Sequence, residues 1–578
     1  MNDIRRTILW VIFGFSMVLL WDQWQVYNGH KATFFPSPVK PGATLSAPAV
    51  TASGVPVSSA LPSPASSPQV PGQSSAGAVP GVIAPVVGVA SRERLVVTTD
   101  VLKLTFDTEG GSMVHAEFVK QIDMADKAKN FVLLDESKDR TYVAQTGLIA
   151  GPAGAQNGSF PNHKTIMTVA PGERVLKDGV NELIVKFESP DQGGVRLIKT
   201  YTLARGAYAM TVKHEAVNTG AVPVSPQLYL QLVRDGNKPS GESSFYSTFT
   251  GPAVYTEAQK YQKVEFSDIE KNKVEIEKQA QNGYVAMVQH YFASAWLLGE
   301  GIKRDLFMRK VDTNLYSVGM ITSLDTIAPG ATKGVEARFF VGPQEEKVLE
   351  AMAPGLELVK DYGWLTILAK PLYWLLDKLY SFIGNWGWSI VALVLLLKAA
   401  FYWLNAKAYA SMAKMKAINP KITEMRERLK DNPQQMQQEM MRIYREEKVN
   451  PMGGCFPIMI QIPVFIALYW VLLSSVEMRN APWALWIHDL SSPDPFYILP
   501  LVMTATTMLQ TALNPAPPDP MQAKLMWYMP LAFSVMFFFF PAGLVLYWIT
   551  NNVLSIAQQW IINTRMGVPP QFNLPKFS

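Results

Sequence analysis

Residues 389–405, SIVALVLLLKAAFYWLN, form a long apolar run that carries one full positive charge, Lys398. Hydrocarbon holds no water to satisfy a bare backbone, so a run of this kind must close its hydrogen bonds within a helix. Five apolar runs of this type occur in the C-terminal part of the chain, at 386–404, 455–473, 496–513, 525–540 and 544–563. Some fall short of the ~20 residues usually needed to span a bilayer. Pro457, Pro463, Pro500 and Pro530 interrupt them, which membrane helices tolerate where neighbours satisfy the freed carbonyl.

A further apolar run, 8–20, lies near the start behind Arg5 and Arg6 and is followed by Trp21 and Trp24. No small-residue cleavage site follows, and tryptophans suit a membrane–water interface. The reading is a retained anchor over 1–29, with a removable signal peptide as the alternative. Six spans result, five of them in a C-terminal core at 386–564, and both termini are expected in the cytoplasm. Charge supports this order. Residues 407–448 hold ten lysines and arginines against six acids, whereas 477–494 hold Arg479 alone against three acids. Positive residues favour the cytoplasmic side, which places the first loop inside and the second outside.

Between anchor and core the pattern changes twice. Residues 30–90 are rich in Pro, Ala, Ser, Gly and Val and nearly free of charge. They have too few large apolar groups to offset the entropy of ordering and read as a disordered tether. From 91 to 350 short runs alternate with period two. In YAMTVKHEAVNTG, Tyr208, Met210, Val212, His214 and Ala216 share one face, Thr211, Lys213 and Glu215 the other, and Asn218-Thr219-Gly220 supplies a turn. That is the signature of an antiparallel β-sandwich, expected outside the cytoplasm after one span. Residues 351–385 read as an amphipathic helix at the outer membrane–water boundary, with Leu368, Leu372, Leu375, Leu376 and Leu379 as its apolar face. Packing against the β-domain is the alternative.

Residues 407–450 are expected to form a cytoplasmic helical hairpin. Met415, Ile418, Ile422, Met425 and Leu429 are spaced as a coiled-coil seam, with Pro420 a possible kink, and Met436, Met440 and Ile443 continue the stripe past Asn432-Pro433. Such a hairpin can be self-contained or can dock cytoplasmic partners. The tail, 565–578, carries only Arg565 and Lys576 as cations.

Lys398 costs roughly 2.5–3.5 kcal/mol at a membrane helix centre on insertion scales. Two readings account for it: snorkelling to the nearer boundary, or a hydrated pocket open to the cytoplasm. No carboxylate in any apolar run pairs with it, as a proton or cation pathway would require, so an unpaired cation suits a transient anionic guest. Gln461, Thr504, Thr506, Thr507, Asn551, Asn552, Gln558 and Gln559 are among the other polar residues of these runs, and helix–helix hydrogen bonds are their plainest use.

Composition excludes other classes. A net charge of +5 over 578 residues gives no nucleic-acid specificity. The one cysteine, Cys455, forbids an intrachain disulfide. There is no GxxxxGK[ST], HExxH or GxSxG, and the six histidines are scattered. No cofactor, metal or catalytic chemistry is expected. A transporter is disfavoured by the lack of inverted repeats and of a coupling-ion site. A membrane-tethered carbohydrate enzyme, with its chemistry in the β-domain, remains an alternative.

The stretches SMAKMKAINPKITEMRERL, EEKVNPMGGCFPIMIQIPVFIALYW, APWALWIHDLSSPDPFYILP, DPMQAKLMWYMP and FPAGLVLYWITNNVLSIAQQ resemble the core of the YidC family of membrane protein insertases. YTEAQKYQKVEF and GYVAMVQHYFASAW resemble the large periplasmic domain of its Gram-negative members. The resemblance implies insertion and folding of newly made inner-membrane proteins, alone or with the Sec translocon, through a groove open to cytoplasm and lipid but closed outside. It implies nascent membrane proteins, the Sec translocon, membrane lipids and, through the hairpin, the ribosome or targeting factors as partners. Lys398 matches the groove cation, usually arginine in that family, and lysine lacks arginine's planar fork. Tyr402, Gln461, Trp548 and Asn551 match groove-side positions. Trp403 stands where many relatives have proline.

Overall fold

The computed structural model describes residues 92–567 and 572, apart from 125, 152–158, 240–247, 430–431, 448–455 and 515–519. The expected anchor and tether, Cys455 and most of the tail lie outside the described residues.

Two nine-stranded sheets, antiparallel throughout their ladders, face each other in the first half. Period-two alternation builds them. In the strand Ala209–Asn218, Met210, Val212, His214, Ala216 and Asn218 are buried while Lys213 is exposed. Each such strand contributes one apolar face to a core that includes Phe106, Phe118, Phe187, Trp296 and Phe339. Two charged or titratable groups buried in this core are held by hydrogen bonds. Lys199 Nζ donates to Gly110 O at 2.6 Å and Thr146 O at 2.8 Å, and His214 Nε2 lies 2.9 Å from Thr146 Oγ1. Burial holds Lys199 down to about 7 and His163 to about 3, because each charged form loses its hydration. A second apolar layer, with Tyr255, Tyr284, Leu297, Phe340, Leu349, Leu356 and Val359, covers the outer face of one sheet with the segment that leads out of the domain.

That segment does not form one long helix over 351–385. It makes 3-10 turns at Leu356–Val359 and Gly363–Leu365 and then helix α1, Thr366–Ile383, which stops at Gly384 in the left-handed region. Ala369, Leu372, Tyr373 and Leu376 are buried, and Leu368, Leu375 and Leu379 pack beside them against the helical core. The expected apolar face therefore covers neighbouring helices and not the β-domain.

The helical region continues with α2 (Trp386–Ala400), α3 (Tyr402–Arg428), α4 (Pro433–Glu446), α5 (Phe456–Ser474), α6 (Ile498–Leu513), α7 (Pro520–Met536) and α8 (Ala542–Arg565). One expectation needs correction. The run 386–404 is not a single helix: the chain turns by 68° between α2 and the start of α3, at Phe401. No glycine or proline marks the place, and Phe401 N still bonds Leu397 O while Asn405 N bonds Phe401 O. Phe401 and Leu404, on either side of the turn into α3, both line the notch described below. Among the described residues no single helix is long and apolar enough to cross a membrane, although this bent pair meets the criteria together.

α3 and α4 form a hairpin with its own small core, in which Ile418, Ile422 and Met425 are buried against Met415, Leu429, Met436, Met440 and Ile443. Pro420 lies within α3. The ion pairs Lys421–Glu447 and Arg428–Glu439 fix the antiparallel sense.

The β-sandwich is fastened to the helices through the loop after α5. Val476 enters the sandwich core. Arg479 donates to Ile122 O and lies over the rings of Phe131, Tyr291 and Phe292 at 5.1–5.6 Å. His290 Nε2 meets Leu473 O at 2.9 Å.

Candidate functional site

Three helices meet at Lys398. It occupies the last turn of α2. Its Nζ donates to Ser555 Oγ at 2.7 Å, and Ser555 Oγ donates in turn to Asn551 O at 2.7 Å on α8. Gln461 on α5 donates through Nε2 to Asn551 Oδ1 at 3.1 Å. These side chains border an open notch of about 440 Å³. Lys398, Asn405, Gln461 and Asn551 form its polar walls, and Val394, Phe401, Val464 and Tyr547 line the rest. Among the described residues no carboxylate pairs with Lys398. An ammonium has three N–H donors, so two remain for a guest in the notch.

The sequence-derived candidates separate into two groups. Lys398, Gln461 and Asn551 come together. Tyr402 and Trp548 do not line the notch. On a straight helix Tyr402 would follow Lys398 by one turn on the same face; the bend at Phe401 removes that relation and leaves Tyr402 exposed. Trp548 lies one turn deeper along α8, packed against Phe465 and Phe537 with ring centroids 4.7 and 5.0 Å away. Ser555 was not singled out in the sequence. Its signal was the i,i+4 spacing from Asn551, which puts both on one helical face. The remaining polar residues tie helices together: Asn552 donates to Thr506 and Thr507, and Gln559 to Leu513 O and Asn514. Gln558 is buried with no partner among the described residues.

The notch can hold an anionic or strongly polar segment by charge and hydrogen bonds. Among the described residues no cluster of His, Cys, Asp or Glu is arranged for a metal ion.

A two-layer β-sandwich anchored to a bundle of apolar helices, with a cation-bearing notch on one side, defines a two-part protein built around its helical region. Residues 94–375 match the family model described as the YidC periplasmic domain, and 378–568 match that of the 60Kd inner membrane protein. The chain is 53% identical over 565 residues to the membrane protein insertase YidC of Ralstonia nicotianae and 55% identical over 565 residues to that of Cupriavidus necator, with 98% of each chain covered. It belongs to the YidC family of membrane protein insertases, with a periplasmic antiparallel β-sandwich domain and a helical C-terminal region. A crystal structure of an active YidC insertase with its first transmembrane domain resolved is similar at 18% identity and a TM-score of 0.37, over 81% of this chain and 92% of that one.

Proposed function

We propose that this chain inserts newly made proteins into the bacterial inner membrane and helps them fold, and that the notch at Lys398 is where the incoming chain is held. Family membership supports the activity. The observation that carries the site is the convergence of Lys398, Gln461 and Asn551 on one open cavity, with the cation free of any carboxylate among the described residues. In this reading six spans leave both termini in the cytoplasm, α3–α4 faces cytoplasmic partners such as the ribosome or targeting factors, and the protein works alone or beside the Sec translocon.

The physics needs no external energy source. A wet notch shortens the dry path of a polar segment, and each polar group kept out of hydrocarbon saves several kcal/mol. Attraction to Lys398 holds an acidic segment loosely, screened by water. The apolar part of the guest then moves into lipid, driven by about 25 cal/mol per Å² of apolar surface removed from water.

Photo-crosslinking during translation tests this. A probe at Gln461 captures a nascent small membrane protein; a probe at Leu501, exposed on α6, does not. Equal labelling at both positions removes the notch from the mechanism.

A further inference from the structure

A wet cavity that reaches into a bilayer is half of a pore. What lies beneath this notch is an unbroken chain of six aromatic rings. Tyr547, at the notch floor, stacks on Phe465 (5.8 Å), which meets Trp548 edge to face (4.7 Å). Trp548 leans on Phe537 (5.0 Å), Phe537 on Phe540 (5.3 Å), and Phe540 on Tyr469 (6.3 Å). The rings come from α5, from α8 and from the short 3-10 turn Phe537–Phe539 with its cap Phe540. All belong to, or pack against, one buried cluster.

The order along the helices gives the layer its place. On α8, Ser555 and Asn551 hold Lys398 and Gln461, and Trp548 follows one turn further from the Lys398 end. On α5, Phe465 follows Gln461 by one turn in the same direction. Beyond the rings the loop 475–494 closes over the helix ends. Ala542 N bonds Ser492 O at 2.8 Å, Gly543 N bonds Leu490 O at 2.9 Å, and Asn385 Nδ2 bonds the carbonyls of Pro482 and Trp483.

We propose that this aromatic layer is the permeability barrier of the protein: it stops water and small ions at the floor of the notch, so that a hydrated insertion site does not become a channel. The proposal rests on the notch being wet. Trp548, Phe465 and Phe537 are the central elements, because they join the three segments that would otherwise part. Rings suit the task. Their faces fill volume with carbon, polar atoms being confined to the Tyr469 and Tyr547 hydroxyls and the Trp548 indole N–H, and a largely apolar constriction excludes ions by staying dry. The loop above is tied by polar groups and serves as cover.

The test uses the full-length protein reconstituted into phosphatidylethanolamine–phosphatidylglycerol vesicles, with potassium efflux as the readout. Wild type is tight. Trp548→Ala and, independently, Phe465→Ala raise efflux on the order of tenfold, as expected when a dry constriction becomes wettable, and Trp548→Phe restores tightness. Leu468→Ala, an equally buried truncation in the same helical core but outside the ring chain, stays tight. Tight vesicles with both alanine variants, each shown folded by its melting curve, overturn the proposal. Efflux from Leu468→Ala equal to that from Trp548→Ala does so too, since any loosened core would then leak. Crosslinking from Gln461 is measured on the same Trp548→Ala protein. Its loss in wild type as well would sink the insertion reading while leaving the barrier result standing.

Discussion

Beside the contacts of Val476, Arg479 and His290, the junction between the sandwich and the helices holds one buried ion pair, Lys360–Glu477, and its removal has a calculable signature. The Lys360 side chain is wholly buried and its Nζ lies 3.1 Å from both carboxylate oxygens of Glu477. The ammonium also lies over Tyr373 at 4.0 Å and Tyr362 at 5.6 Å, and Tyr373 donates its hydroxyl to Glu477 at 2.6 Å. Glu477→Gln keeps the shape but leaves a buried cation without its counter-charge, at a cost of roughly 3–5 kcal/mol. Lys360→Met is milder, because Glu477 is 17% exposed and keeps the Tyr373 hydroxyl; a lost hydrogen bond to a charged group costs about 1.5–3 kcal/mol. The double variant removes both charges together and costs less than the two singles combined, with a coupling of about 2 kcal/mol or more. Thermal unfolding of the four proteins in one detergent measures this, with Glu477→Gln lowering the midpoint by roughly 10 °C at 2–4 °C per kcal/mol. Limited proteolysis around residues 353–366 reports whether the junction itself opens. Additive costs would refute the argument, since they would mean that each charge is satisfied by something other than its partner.

Two further outcomes follow from the charges. Lys398→Glu reverses the sign at the notch and lowers insertion of substrates with acidic translocated tails by about tenfold or more, the equivalent of 1.4 kcal/mol, while neutral substrates fall less and Lys398→Arg retains both; equal losses for acidic and neutral substrates would contradict the role given to the charge. Acid weakens the sandwich: burial holds His163 at about 3 and His290 at about 4, so the unfolded chain takes up protons below its ordinary histidine value of about 6.5 while the native state does not. The histidine contribution is therefore fully present above about pH 6.5 and is lost as the pH drops toward 4, by about 3 kcal/mol for His290 alone. Lys199 acts at the other end: with its native value near 7, stability rises from pH 7 toward 10.5, and Lys199→Met flattens that limb. Melting curves of the full chain from pH 4 to 10 check both, and a flat profile below pH 6.5 would exclude neutral buried histidines.

How much of this was legible in the chain depends on the range of the interactions. The strand Ala209–Asn218 and the seam of the α3–α4 hairpin follow from periods of two and of seven, which neighbouring residues carry by themselves. Lys398 announced itself because a charge in an apolar run has few places to go. The bend at Phe401 carries no local sign, neither glycine nor proline. The bend sets Tyr402 apart from the residues that line the notch. Trp548 stands one turn along α8 from Asn551, against Phe465 and Phe537: periodicity gives the direction of a side chain and not its height relative to a cavity formed by other helices. Lys360 and Glu477 are 117 residues apart, and each alone reads as an ordinary surface charge.

The bend also answers the problem that Lys398 poses. On a straight helix ending at Asn405, seven residues separate the ammonium from the helix end, about 10 Å at 1.5 Å per residue. Because α2 ends at Ala400, only two residues follow Lys398 in the helix, about 3 Å. The charge then sits in the last turn of α2, within reach of the Ser555 hydroxyl. The same turn of chain swings Phe401 into the notch wall and carries α3 away from the axis of α2, which leaves the cavity open beside the lysine. A single backbone break thus lowers the cost of the charge and creates the space the charge faces. Both depend on Phe401 remaining the hinge, and straightening α2 into α3 would close the notch and strand the cation together.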